Sequence, residues 1–231
     1  MASDIIVIGG TSGIGREIAS TYAAKGARVA LSGRDEERAS GVAAELEGDV
    51  RGLGVDLADP HTIGASLRGL ERVDRLVLAA VERDNNPVMD YNVDGASRLS
   101  VLKLVGYAEV VHQLAGSLTE DASLLLFGGL AKDRPYPGST TVTSVNGAVA
   151  TLIRSLAIEL APVRVNAIHP GIVGDSPTWS GQPEVLERVL ERTPTGRLVQ
   201  TSDVVDASLF LLESPAMNGV NLAVDGGWML L

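Results

Sequence analysis

Three glycines, Gly9, Gly13 and Gly15, follow directly on the apolar run Ile5–Ile8. The run is typical of a buried strand, and apolar residues then recur at helical spacing until Gly26 ends the pattern. Gly9 allows a tight turn, Gly13 lets backbone approach a pyrophosphate, and Gly15 lets helix and strand pack closely. The helix N-terminus adds unpaired N–H groups and a partial positive charge. The stretch therefore predicts a site for the phosphates of a dinucleotide.

Strands and helices alternate along the rest of the chain. Strand-like apolar runs occur at residues 28–32, 50–55, 74–80, 123–127, 163–168 and 219–224. Helical patterns occur at residues 35–47, 59–70, 97–114, 142–160, 183–191 and 202–212. Because each strand returns through a helix, this order predicts an α/β fold, a single doubly wound Rossmann-like domain over residues 1–231 with a mainly parallel sheet of about seven strands. Ligands bind such a sheet at the carboxyl ends of its strands.

The composition argues against several kinds of function. A net charge of −10 offers no basic stripe for nucleic acid, and the absence of cysteine excludes disulfides, thiolate metal sites and a cysteine nucleophile. No pair among the candidate residues has metal-ligand spacing, so no metal is expected. The first strand is too short for a signal peptide, and no apolar run approaches the ~20 residues of a membrane span. We therefore expect a cytoplasmic protein that binds neither nucleic acid nor membrane.

The spacing Gly9-x-x-x-Gly13-x-Gly15 resembles that of the short-chain dehydrogenase/reductase family, whose turn usually reads Thr-Gly-x-x-x-Gly-x-Gly. Further motifs similar to that family follow in the same order, at residues 56–57, 164–171 and 225–227. The resemblance covers nearly the whole chain. It implies a nicotinamide dinucleotide cofactor and the oxidation or reduction of a small carbonyl or hydroxyl compound. It also implies a homodimer or homotetramer, and a lid over the substrate at residues 175–195.

The cofactor residues implied by the resemblance lie in the glycine turn and at the ends of the neighbouring strands. After the fourth strand, Ala79 and Ala80 keep the small size of the family's residues, although the usual asparagine is missing. Asp175 falls where the family often has a threonine that holds the carboxamide. The predicted cofactor-binding residues are Gly9, Thr11, Ser12, Gly13, Ile14, Gly15, Ser32, Arg34, Asp56, Leu57, Ala79, Ala80, Pro170, Gly171 and Ile172.

Arg34 is the residue that favours NADP(H) over NAD(H). An acidic residue at the end of the second strand would bind the ribose hydroxyls and repel a phosphate, whereas Gly33-Arg34 presents a planar cation suited to a 2′-phosphate. Alternatively, Arg34 is a solvated arginine that pairs with Asp35 or Glu36. Asp56 also has two interpretations, a contact to the adenine edge or a cap of the following helix, and these are compatible.

The resemblance breaks at the positions that carry the proton chemistry. The family places a Tyr-x-x-x-Lys pair on the long helix and a serine at the end of the preceding strand. The segment 154–161 strongly resembles the second half of that helix and sets the register. In this register Val142 stands at the tyrosine position, Asn146 at the lysine position and Gly129 at the serine position. A valine cannot donate a proton, so the family mechanism cannot operate unchanged.

Two residues compete for the family's remaining position, an asparagine on the preceding helix. Asn92 lies in a similar motif but too close to the fourth strand, whereas Lys103 fits both spacings and is preferred. If Lys103 points into the pocket, burial would lower its pKa toward ~7–8, where a lysine can act as general acid or base. Asn146 would then orient the ribose or a substrate carbonyl. Alternatively, Lys103 is an ordinary surface lysine.

Tyr136 is a further candidate donor, on a loop that can swing over the substrate or serve a structural role between two prolines. Two functions stay open at this point. The first is an atypical NADP(H)-dependent oxidoreductase in which Lys103 or Tyr136 manages the proton. The second is a nucleotide-binding protein without redox turnover, either a sensor or scaffold or a non-redox enzyme. Both functions predict NADPH binding.

Overall fold

A seven-stranded sheet forms the centre of the computed structural model, which describes residues 2–82 and 84–231. Its strand order is β3-β2-β1-β4-β5-β6-β7, and every neighbouring pair is parallel. The strands are β1 Asp4–Ile8, β2 Arg28–Gly33, β3 Asp49–Gly54, β4 Val73–Leu78, β5 Leu118–Phe127, β6 Arg164–Pro170 and β7 Asn221–Val224. The predicted doubly wound Rossmann-like α/β domain is thereby confirmed.

Helices cover both faces of the sheet. They are α1 Gly13–Ala24, α2 Glu36–Glu45, α3 Pro60–Ser66, α4 Val93–Ser100, α5 Tyr107–Leu114, α6 Thr140–Glu159, α7 Pro183–Glu191 and α8 Thr201–Glu213. One hydrophobic core contains residues of α1, α2 and α8, and the other contains residues of α3, α5 and α6. Alternate residues of β1 supply the two cores, Ile5 and Val7 one of them, Ile6 and Ile8 the other. This burial on both faces explains why the strand reads as a continuous apolar run.

The helix expected at residues 97–114 begins at Val93 and changes pitch in its middle. Asn92 caps its start by accepting a hydrogen bond from the Gly95 backbone N–H. Val93 and Asp94 at its start are exposed, so they form no apolar periodicity that would have marked this turn in the sequence. A π-helical segment, Val101–Gly106, then joins α4 to α5. Such segments are frequent at functional sites.

The long helix α6 is apolar enough, by length and composition alone, to cross a membrane. Core helices of globular domains pass the same test. In this fold Val145, Val149 and Ile153 of α6 are buried, and Val149 and Ile153 belong to the hydrophobic core beneath the sheet. The finding is therefore weak support for a membrane span.

The close packing of α1 against the glycine turn gives a stability prediction. A Cβ on Gly15 would lie 2.2 Å from the Gly9 carbonyl oxygen, whereas a Cβ on Gly41, in α2, would meet nothing within 4 Å. We expect Gly15→Ala to lower the free energy of unfolding by about 1–3 kcal/mol through overpacking. The matched control Gly41→Ala should raise it by about 0.5–1 kcal/mol through helix propensity. Urea unfolding followed by circular dichroism measures both, and equal effects would contradict the packing described.

Candidate functional site

The glycine turn is held between the ends of β1, β2 and β4. The backbone N–H groups of Gly9 and Gly10 donate to the Ser32 carbonyl oxygen at 3.2 and 2.8 Å. Gly9 has a φ of +87°, and a Cβ there would lie 2.5 Å from the Ala80 nitrogen. Ser12 precedes α1, and among the described residues its side chain makes no capping hydrogen bond. The backbone donors of the first helical turn are thus left for a ligand, as a phosphate site requires.

Beside the turn, two hydroxyl groups lie near the end of β2. A Cβ on Gly33 would lie 2.7 Å from Thr11 Cγ2, so Gly33 leaves room for the Thr11 side chain. Ser32 is buried, and among the described residues its Oγ has no hydrogen-bond partner. An unpartnered buried hydroxyl is costly unless a ligand or water completes it. These residues fit the adenosine half of a dinucleotide.

Four charged side chains cluster where β2, β3 and β4 end. The Arg34 Nη1 donates to Glu82 Oε1 at 3.0 Å, so its partner is neither Asp35 nor Glu36. Glu82 also accepts two hydrogen bonds from Arg98 of α4, each at 2.9 Å. Arg98 lies 3.8 Å from Asp56, whose Oδ1 accepts from the Ala58 N–H and braces the turn after β3. Glu82 and Arg98 could not be assigned to this cluster from the sequence, because they lie far from Arg34 along the chain.

Other predicted cofactor residues line the same edge of the sheet. Ala79 donates its N–H to the Ile8 carbonyl oxygen at 2.8 Å, which holds the loop after β4 against the glycine turn. Leu57 is buried against Gly106 of the π segment, so its side chain belongs to the core. Gly171 follows β6 and donates its N–H to the Val224 carbonyl oxygen at 2.9 Å. Its neighbours Pro170 and Ile172 are partly buried.

Asp175 is engaged within the protein. Its Oδ1 accepts hydrogen bonds from the backbone N–H and the hydroxyl of Thr201, at 2.8 and 2.9 Å. This places a carboxylate at the N-terminus of α8, where the helix dipole stabilises negative charge. The carboxamide contact expected for Asp175 would therefore compete with this interaction.

Lys103 is buried at the carboxyl end of β5, only 2% exposed. Its Nζ donates to the Phe127 carbonyl oxygen at 2.5 Å and to the Tyr107 hydroxyl at 3.1 Å. The Tyr107 hydroxyl in turn donates to the Ala80 carbonyl oxygen at 2.8 Å. Lys103 is thus no surface lysine, and it connects the end of β5 to the loop beside the glycine turn.

Burial changes the proton affinity of both side chains in this pair. It lowers the pKa of Lys103 from 10.5 to about 7 and raises the pKa of Tyr107. Tyr107 was missed in the sequence because it reads as one more apolar position of an amphipathic helix. The available signal was its spacing, since residues four apart on a helix lie on one face and can pair.

Asn146 faces the same end of β5 from α6. A Cβ on Gly129 would lie 2.8 Å from the Asn146 Nδ2, so a serine there would need the amide to move. Among the described residues, the Asn146 side chain has no hydrogen-bond partner, although it is only 7% exposed. Lys103 and Asn146 therefore approach the end of β5 from two helices, with the π segment packed against α6.

His169 contacts the segment that follows β5. Its Nδ1 accepts from the Gly129 N–H at 3.1 Å, so its Nε2 carries the proton toward Asn221 Oδ1 at 2.8 Å. Burial lowers the pKa of His169. Its role is structural.

Tyr136 lies apart from this group. The side chain is 54% exposed, and the loop is held by hydrogen bonds between the Tyr136 backbone and Ser139. No hydrogen bond joins its hydroxyl to Lys103 in the described part of the chain.

Within residues 2–82 and 84–231, no group of three His, Asp or Glu side chains could hold a metal ion.

The chain belongs to the short-chain dehydrogenase/reductase family. Residues 9–229 match the family described as enoyl-(acyl carrier protein) reductase. A 3-oxoacyl-[acyl-carrier-protein] reductase of Bos taurus is 33% identical over 238 residues, covering 97% of each chain. A 7α-hydroxysteroid dehydrogenase in complex with NADH and 7-oxo glycochenodeoxycholic acid has a TM-score of 0.88 at 28% identity, covering 97% of this chain and 93% of that one. A small-chain dehydrogenase in complex with NADPH has a TM-score of 0.85 at 25% identity, covering both chains completely. Over nearly its whole length the chain is therefore similar to oxidoreductases of this family.

The buried lysine predicts how stability depends on pH. Since the folded-state pKa of Lys103 is about 7 and its ordinary value 10.5, the unfolded chain binds more protons between these two pH values. Stability should therefore rise with pH across this window, by up to about 1.4 kcal/mol per pH unit from this one group. In Lys103→Met that contribution should vanish.

Urea unfolding at several pH values between 7 and 10 measures this slope. Lys25→Met, which removes an exposed lysine, is the control and should keep the wild-type slope. A Lys103→Met variant with the same slope as the wild type would show that Lys103 titrates near its ordinary pKa.

Proposed function

We propose that this protein is an NADP(H)-dependent oxidoreductase that acts on a small carbonyl or hydroxyl compound. Its catalytic site is non-standard, and Lys103 donates or accepts the proton. The observation that carries the proposal is the buried Nζ of Lys103, held at the carboxyl end of β5 by Phe127 and Tyr107. Ligands of doubly wound sheets bind at that edge. Val142 and Gly129, at the family's tyrosine and serine positions, carry no hydroxyl.

The cofactor would be held by the glycine turn and by the ends of β2 and β4. When bound, it supplies the hydride or accepts it. Gly9 and Gly15 let the turn pack closely against the loop after β4 and against α1, and the Ser32 hydroxyl has no hydrogen-bond partner among the described residues. The preference for the 2′-phosphorylated form rests on Arg34. The NADPH and NADH complexes of the two similar structures support a nicotinamide cofactor without deciding between the two forms.

Lys103 can hold or release a proton without losing either of its hydrogen bonds. In the neutral amine, two N–H groups donate to Phe127 and Tyr107, and the nitrogen lone pair is available to accept a proton. In the ammonium, the third N–H is available to an oxygen that develops negative charge. The pKa of about 7 makes both states accessible near neutral pH. The Asn146 amide, free of protein partners among the described residues, would orient the substrate oxygen or the ribose.

The second candidate is a nucleotide-binding protein without redox turnover, a sensor or scaffold, or a non-redox enzyme on the same fold. It is favoured by one observation: two hydrogen bonds within the protein already hold Lys103, which is consistent with a purely structural role. Both candidates need the same nucleotide site, so catalysis has to separate them. The lid at residues 175–195, the homo-oligomeric state and the cytoplasmic location stay predictions.

Lys103→Met tests the catalytic assignment. With NADPH and a panel of small carbonyl compounds, we expect the variant to lose turnover by about 10²-fold or more, the usual contribution of a general acid. Carbonyl reduction by the wild type should fall above pH 7 as Lys103 loses its proton, and this limb should disappear in the variant. NADPH affinity, measured by fluorescence, serves as the control for an intact site. Unchanged turnover would remove Lys103 as the acid, and no NADPH oxidation by the wild type across the panel would favour the second candidate.

Arg34→Met tests the cofactor assignment. If Arg34 meets the 2′-phosphate, its loss should weaken NADPH binding about tenfold, the value of one charge-assisted contact, and change NADH binding less than about twofold. Arg154→Met, which removes an arginine from the distant part of α6, is the matched control. Isothermal titration calorimetry measures the dissociation constants. Tighter wild-type binding of NADH than of NADPH would contradict the assignment.

A further inference from the structure

The ion pair between Arg34 and Glu82 spans the mouth of the nucleotide site. Arg34 follows β2, Glu82 follows β4, and β1 lies between these two strands in the sheet. A contact between them therefore crosses over the end of β1, where the glycine turn begins. The cation expected to meet a 2′-phosphate is thus already neutralised by a carboxylate of the protein.

Arg98 holds Glu82 in this position. Its guanidinium binds both carboxylate oxygens, Nε to Oε2 and Nη2 to Oε1, while Arg34 makes a single bond to Oε1. Asp56 lies 3.8 Å from Arg98, so the cluster of Arg34, Arg98, Glu82 and Asp56 contains two positive and two negative charges. Glu82 would therefore keep its bidentate partner if Arg34 turned away from it.

We propose that Glu82 limits the preference for the 2′-phosphorylated dinucleotide, because its carboxylate competes with the 2′-phosphate for Arg34 and occupies Arg34 until the phosphate displaces it. The inference rests on the proposed cofactor. A ribose 2′-hydroxyl is neutral and cannot compete with a carboxylate for a guanidinium, whereas a phosphate carries more charge than the carboxylate and more acceptor oxygens. Arg98 retains the displaced carboxylate and keeps it from facing the phosphate unpaired. Arg98 is thus a positioning residue that acts through Glu82.

The test measures dissociation constants of NADPH, NADH and adenosine 2′,5′-bisphosphate by calorimetry. Glu82→Gln frees Arg34, so we expect NADPH and the bisphosphate to bind about fivefold more tightly, the value of one exposed ion pair. NADH binding should change less than about twofold. Glu45→Gln removes the same charge from a separate exposed pair, with Arg16, and should leave all three constants unchanged.

Arg98→Met provides the second arm of the test. In the wild-type background it should weaken NADPH binding about fivefold, because Glu82 is then left beside the phosphate without its partner. In the Glu82→Gln background it should have no effect. This dependence of one substitution on the other is the signature of action through Glu82.

Four results would overturn the proposal. If Glu82→Gln changes the dissociation constants of NADPH and NADH equally, Glu82 acts on a part of the cofactor that both dinucleotides share. A loss of NADPH affinity in Arg98→Met that persists with Glu82→Gln would mean that Arg98 meets the phosphate directly. If Glu82→Gln binds NADPH as tightly as the wild type does, the role of Glu82 is refuted and the proposed function is not. If the wild type binds no dinucleotide, both are refuted.

Discussion

The close approach of three backbone segments at the end of β1 is the constraint on which the site depends. The turn at Gly9 touches the loop after β4, and α1 touches the turn at Gly15, with no space for a Cβ at either position. This packing fixes the N-terminus of α1 over the carboxyl edge of the sheet, and among the described residues the Ser12 side chain does not cap its first N–H groups. The same contacts set the loop after β4, and therefore Ala80, which accepts the hydrogen bond of Tyr107.

A buried amine is the second constraint, and it follows from the first. The Nζ of Lys103 needs hydrogen-bond partners because an unpaired buried amine is costly. It finds them in the Phe127 carbonyl oxygen and in the Tyr107 hydroxyl, which is itself anchored to Ala80. The cofactor edge and the end of β5 are thus joined through two side chains. Lys103 lies within the π-helical segment Val101–Gly106, and Tyr107 follows it directly.

The sequence predicted the fold well because strands buried on both faces leave a strong apolar signal, as in Ile5–Ile8. The glycine turn and the position of Lys103 were also predictable, the first from spacing and the second from the resemblance and the distances to neighbouring strands. Tyr107, Glu82 and Arg98 were not, because their roles depend on contacts between elements far apart along the chain. The exposed start of α4 was missed for a related reason, since an exposed turn has no periodic apolar residues.

The pKa of Lys103 is the quantity that tests the account most directly. The chain has three lysines, Lys25, Lys103 and Lys132, so selective ¹³C labelling at Cε gives three NMR signals that single substitutions can assign. We expect the Lys103 signal to titrate with a midpoint near 7, as burial against Phe127 and Tyr107 requires. A midpoint near the ordinary value of 10.5 would contradict the buried amine and the proton chemistry built on it.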